Sequence, residues 1–183
     1  MRFEEKEIIL KDGRKCVLKP NSPEYAEQMI SYLKETSAET EFLLRYPDEV
    51  KYTLEEEQQL LAGFLDNPGI IMMIAIVDGK KVAGNMSIAG IGPQRRLAHR
   101  CSMAIALYKE FWGLGIGSAM IGYGSELAAK VGWKQMDLEV ISGNDQAYKL
   151  YKKCGFIETG VRHNALRYDD GTYRDEILMY KDL

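Results

Sequence analysis

The segment Leu107-Tyr108-Lys109-Glu110-Phe111-Trp112-Gly113-Leu114-Gly115-Ile116-Gly117-Ser118 is the part of the chain whose residue types and spacing say most about chemistry. An apolar strand runs through closely spaced glycines directly into a helix. Glycines let backbone approach a bulky anion, the first N–H groups of a helix lack intrahelical acceptors, and the helix dipole favours negative charge at that end. The loop Trp112–Ser118 is therefore a candidate cradle for a pyrophosphate. Residue type excludes two other phosphate loops. No Gly-Lys-Ser/Thr follows the glycines, so nothing holds terminal phosphates and Mg²⁺ as a P-loop does. The third glycine of a dinucleotide fingerprint would fall at Met120, and the preceding strand belongs to an antiparallel meander.

A second block is Asn144-Asp145-Gln146-Ala147-Tyr148-Lys149-Leu150-Tyr151-Lys152-Lys153-Cys154-Gly155-Phe156. Asn144 suits an N-cap and Gly155 a left-handed C-cap. Ala147, Leu150, Tyr151 and Cys154 share one helical face, so spacing alone is satisfied by a core aromatic at Tyr151 and a capping role for Asn144.

The two blocks, in this order, resemble the GNAT N-acetyltransferase superfamily, whose motif is Gln/Arg-x-x-Gly-x-Gly/Ala; Gly115 and Gly117 match its glycines. Trp112 stands where the family has Gln or Arg, and its Trp-Gly step resembles the branch that includes the ribosomal-protein alanine N-acetyltransferases. The resemblance implies acetyl-CoA as cosubstrate, held by Trp112, Gly113, Leu114, Gly115, Ile116, Gly117 and Ser118 at its pyrophosphate. It implies that Ile105, Ala106 and Leu107 offer backbone groups to the pantetheine arm where two central strands splay apart, and that the Asn144 side chain bonds to that arm. It makes Tyr151 both a donor-site residue and the general acid that protonates the departing thiolate. A protonated amine must lose a proton before it attacks, so a base or water chain is implied. Family members often use a Glu near the splayed strands. None lies within Leu97–Leu107, which leaves Glu139, Glu41 and His99 as candidates.

These residues need a scaffold, and the remaining pattern describes one. Apolar runs flank the hairpin steps Asp12-Gly13 and Asp78-Gly79, which predicts strands at Ile8–Leu10, Cys16–Leu18, Ile70–Val77 and Lys81–Ala89. Further strands are expected at Leu97–Leu107, Met136–Val140, Phe156–Arg162 and Arg174–Tyr180. Ser22-Pro23 opens a helix carrying Tyr25, Met29, Ile30 and Leu33, and the Thr53/Glu56 capping box opens a second. Gly117–Val131 is a third helix despite Gly122 and Gly124, and the block after Asn144 a fourth. Glu35–Glu49 is expected as a structured loop whose acids Glu35, Glu39, Glu41, Asp48 and Glu49 either draw a cationic amine toward the mouth or form a solvated acidic surface. The fold class is α/β, a mixed, mostly antiparallel sheet of about seven strands with helices on both faces.

Composition bounds the remaining choices. At 183 residues, 46% apolar and 28% charged, the chain is expected to form one globular domain over residues 1–183. A net charge of −3 argues against nucleic acid as a partner. No leader-like apolar run and no stretch near the roughly 20 apolar residues of a membrane span is present, so a cytoplasmic location without membrane association is expected. Cys16, Cys101 and Cys154 fall in apolar segments, and His99 and His163 are isolated, so no metal is expected. The expected partners are acetyl-CoA and an amine acceptor, either a small molecule or a protein N-terminus, with a homodimer left open. A non-catalytic CoA-binding sensor is the alternative of a different class.

Overall fold

Hydrophobic alternation and Asp-Gly turns build the first half of the sheet. The computed structural model describes residues 1–183. Strands β1 (Lys6–Ile9) and β2 (Lys15–Pro20) form the opening hairpin. A 3₁₀ turn, Pro23–Tyr25, leads into helix α1 (Ala26–Glu39), and a second, Pro47–Glu49, precedes helix α2 (Leu54–Asp66). Strands β3 (Ile70–Val77), β4 (Lys81–Gly90) and β5 (Arg100–Leu107) follow as an antiparallel meander. Helix α3 (Ile116–Val131) crosses to β6 (Gln135–Ile141), helix α4 (Asp145–Lys153) follows, and β7 (Ile157–Arg167) and β8 (Tyr173–Asp182) end the chain.

The sheet has eight strands in the order β1-β2-β3-β4-β5-β6-β8-β7, with helices on both faces. Each of the eight corresponds to one of the strands expected from the sequence, one more than the approximate total of seven. The sheet's only parallel pairing is β5 with β6, which the crossover through α3 joins. Most of β3 is buried, as its almost unbroken apolar run requires of a strand covered on both faces. α3 lies against β3, β4 and β5. Gly124 permits the approach: a Cβ there would stand 2.3 Å from Met86 Cε and 2.9 Å from Ile88 Cδ1. That contact explains a glycine in the middle of a helix, where it otherwise costs about 1 kcal/mol.

Three expected boundaries move. The helix after Ser22-Pro23 begins only at Ala26, because Pro23–Tyr25 winds as a 3₁₀ turn and the Ser22 hydroxyl bonds to the Glu24 carboxylate at 3.0 Å instead of capping. α1 runs on to Glu39, so Glu35 and Glu39 are helical and not part of a loop. Within this polar stretch, buried Thr36 satisfies its hydroxyl on the Tyr32 carbonyl one turn back, at 2.6 Å. β5 starts at Arg100 instead of Leu97, since turns from Gln94 O to Leu97 N and from Leu97 O to Arg100 N occupy the intervening residues. The Thr53/Glu56 capping box forms as expected, with reciprocal bonds of 3.2 and 2.8 Å. No helix is long and apolar enough to cross a membrane.

Candidate functional site

β5 and β6 pair only from Arg100↔Gln135 to Ser102↔Asp137; beyond that rung they diverge. The divergence opens a cleft of about 770 Å³ in the middle of the sheet. Its floor is Met103–Leu107, one wall is the loop Trp112–Ser118 with α4, and the other is α1 with residues 42–44. Tyr108 N–H donates to Ala83 O at 3.0 Å, which fixes the phase of the β4–β5 ladder. By alternation, the backbone groups of Ala104 and Ala106 face β4, and those of Met103, Ile105 and Leu107 face the cleft.

The glycine loop has the form that its sequence suggests. Gly115 is the N-cap of α3 with φ of +99°, a left-handed conformation that L side chains avoid. The first helical bond of this end is Ala119 N–H to Gly115 O, which leaves the N–H groups of Ile116, Gly117 and Ser118 without intrahelical acceptors. Trp112 contributes structure as well as surface, since its indole N–H donates to Leu107 O at 2.9 Å and binds the loop to the end of β5. Lys11, from the β1–β2 hairpin, and Lys149 and Lys153, one turn apart on α4, also line the cleft and make its outer end cationic.

Asn144 caps α4 with its side-chain oxygen, which accepts from Ala147 N–H at 3.2 Å. The amide NH₂ of the same side chain remains a donor on the cleft wall, which capping does not use. Tyr151 is 7% exposed, packs edge-on against Phe156 at 5.9 Å and lines the cleft. Burial pushes its phenol up to about 12, so it is held protonated as a proton donor.

Ile105, Ala106, Leu107, Trp112, Gly113, Gly115, Ile116, Gly117, Ser118, Asn144, Tyr151 and Glu139 all line this one cleft. Leu114 does not: its side chain packs on the core and its carbonyl accepts from Lys11 N–H at 3.2 Å. Glu41 lies outside as well, its carboxylate 3.6 Å from Arg174 and its carbonyl accepting the Tyr168 hydroxyl at 2.8 Å. His99 sits at the closed end, before β5 begins, where its carbonyl accepts from Lys134 and Gln135 N–H. The acids expected to steer an amine are largely engaged in local structure. The Glu39 carboxylate accepts from Lys109 N–H at 2.8 Å and Glu49 from Tyr46 N–H at 2.8 Å.

Glu176 on β8 was not visible as a site residue in the sequence. It is 9% exposed, lines the cleft and pairs with Arg162 of β7. It lies opposite Ile141 in the β6–β8 ladder, two residues along from the rung of Glu139, so both carboxylates face the same side. Only the splay reveals this, because in sequence Glu176 is an ordinary polar residue of an alternating strand. Phe42, Leu43 and Leu44 give the cleft an apolar wall after α1, and Phe42 approaches the Gly143 turn before α4.

The model of the Acetyltransferase (GNAT) family matches residues 28–156. The chain belongs to the GNAT acetyltransferase family. No curated protein sequence matches it. Among solved structures, a GNAT-family acetyltransferase from Streptococcus pneumoniae superimposes with a TM-score of 0.85 at 27% identity, covering 92% of this chain and 99% of that one. A ribosomal-protein-alanine N-acetyltransferase from Brucella melitensis gives 0.79 at 19% identity, covering 91% and 99%. A Salmonella typhimurium structure with its cofactor acetyl-CoA gives 0.77 at 14% identity, covering 92% and 94%. At 19% and 14% identity these last two likenesses concern the fold.

Proposed function

We propose that this GNAT protein transfers the acetyl group of acetyl-CoA to a primary amine by direct attack within a ternary complex. The observation that carries the reading is the divergence of β6 from β5 after Ser102, which places a free strand edge, the N-terminus of α3 and the Tyr151 phenol on one cleft. The donor's pyrophosphate would lie on Gly113–Ser118 and its pantetheine arm along Ile105–Leu107. Asn144 offers a donor from α4, and the amine enters between Phe42–Leu44 and the sheet.

In this reading the amine nitrogen bonds to the thioester carbonyl carbon, an N–H on β5 stabilises the resulting oxyanion, and the C–S bond then breaks. The sulfur takes the Tyr151 proton, and the proton lost by the amine goes to a carboxylate on the acceptor side. Glu139 lines the cleft and Glu41 does not, which favours Glu139 as the acceptor of that proton. Glu176 faces the same side, but its ion pair with Arg162 offsets its charge, which leaves Glu139 the less encumbered carboxylate.

A thiol acyl-enzyme has little support in the chemistry of the cysteines. Burial raises the Cys16 thiol to about 11 and the Cys101 thiol to about 12, which starves both of thiolate near neutral pH. Cys154 is also raised, chiefly by burial. Initial rates measured against both substrates should therefore give intersecting double-reciprocal lines. Parallel lines, with acetyl transferred to the protein when the amine is omitted, would replace direct attack by a covalent route.

A further inference from the structure

The end of β5 is clamped at neighbouring backbone groups. The Trp112 indole holds the Leu107 carbonyl and the Glu39 carboxylate holds the Lys109 N–H. One residue earlier, the Tyr32 hydroxyl of α1 donates to Ala106 O at 2.8 Å and accepts from Asn85 N–H at 3.3 Å. Asn85 and Ala106 are opposite residues in the β4–β5 ladder, on a rung whose N–H and C=O groups face each other. A helix side chain thus bridges a rung of the central sheet, with its hydroxyl between an N–H and a C=O that a plain ladder would join.

The consequence for the cleft follows from the planarity of the peptide group. In a trans peptide the C=O of one residue and the N–H of the next point in opposite directions. Tyr32 fixes the Ala106 carbonyl on the β4 side, so it also fixes the Leu107 N–H on the other side, facing the cleft where β6 has already diverged. A hydrogen bond accepted by the carbonyl polarises the amide and makes its N–H a better donor. Tyr32 is 2% exposed, and its ring stands edge-on to Tyr108 with centroids 5.3 Å apart, which leaves the hydroxyl little freedom. Burial shifts its phenol upward, so it keeps its proton and remains a donor to Ala106.

We propose that Tyr32 is a positioning residue for the acyl donor: its hydroxyl sets the Ala106–Leu107 peptide so that the Leu107 N–H is aimed at an amide carbonyl of the pantetheine arm. The inference rests on the reading of the cleft as an acyl-CoA site. It is tested by titrating ¹⁵N-labelled wild type and Tyr32→Phe with CoA, which permits no turnover, and following the Leu107 amide. In the wild type the Leu107 amide proton moves downfield on CoA binding, and in Tyr32→Phe that shift shrinks. The affinity for CoA falls about three- to tenfold, the loss of one hydrogen-bond contribution. KM for acetyl-CoA rises in step, while kcat and KM for the amine hold.

A folded Tyr32→Phe protein with unchanged CoA affinity and an unchanged Leu107 shift would overturn the proposal and make the hydroxyl a core contact only. The phenyl ring keeps its packing on Tyr108, and the wild-type titration by itself overturns the proposal if the Leu107 amide does not respond to CoA. CoA-induced shifts around Gly113–Ser118 with none at Leu107 would overturn the proposal and leave the acyl-CoA site standing. A wild type with no CoA-induced shift anywhere would remove the acyl-CoA reading, and this inference with it.

Discussion

Gly115→Glu should abolish measurable acetyl-CoA binding in a protein that still folds. Gly115 sits at φ of +99°, and a Cβ there would meet nothing within 4 Å, so the new side chain projects freely from the N-cap of α3. Its carboxylate then occupies the positive end of the helix, where it takes the N–H groups that a pyrophosphate would use and repels the phosphates. The left-handed backbone costs any L residue about 1–2 kcal/mol, which lowers stability without placing a clash in the core. Gly115→Ala carries the same backbone penalty and no charge, so it separates strain from anion competition. Calorimetry should find acetyl-CoA affinity lost in the Glu variant and reduced only modestly in the Ala variant. Undiminished affinity in folded Gly115→Glu would show that the phosphates bind elsewhere.

Tyr151→Phe should lower kcat by about 10²- to 10⁴-fold if the phenol supplies the proton to the departing thiolate, with acetyl-CoA affinity nearly unchanged. The ring keeps its edge-on contact with Phe156, so the loss is confined to the hydroxyl. The sign of the pH dependence follows from burial. A phenol raised to about 12 is a proton donor below that value and loses the proton only as pH rises through it. The wild-type rate should therefore rise with pH as the amine acceptor deprotonates, and show no falling limb from Tyr151 between about pH 7 and 10. A variant with wild-type kcat, under conditions where the chemical step limits the rate, would make Tyr151 a core aromatic.

The sequence makes the parts of the site that depend on local geometry legible. Gly115 at a strand-to-helix turn and Asn144 before an amphipathic helix need only a few neighbours to define their conformations, and both occur as read. Residues whose roles depend on distant partners are hidden. Tyr32 follows Met29 at helical spacing and looks like a core residue, yet its hydroxyl reaches a rung between strands far along the chain. Glu176 alternates with apolar neighbours like any polar strand residue, and only the ladder to β6 brings it to the cleft beside Glu139. Glu39 shows the opposite error. It looks like a free surface acid but its carboxylate accepts from Lys109 N–H, so truncating the side chain loosens the loop after β5. His99 looks like a residue of β5 in the sequence, yet the turns between Gln94 and Arg100 delay that strand and leave it at the closed end.

Transfer of an acetyl group from acetyl-CoA to an amine in this cleft would release CoA thiol and an N-acetylated amine together. It is tested most directly by incubating the protein with acetyl-CoA and a panel of primary amines that includes peptide N-termini, and measuring released CoA thiol and N-acetylated product in the same samples. At least one amine should yield both in equal amounts, and Tyr151→Phe should suppress both together. Tight acetyl-CoA binding with no product from any amine class would contradict it and leave a protein that binds CoA without catalysing transfer.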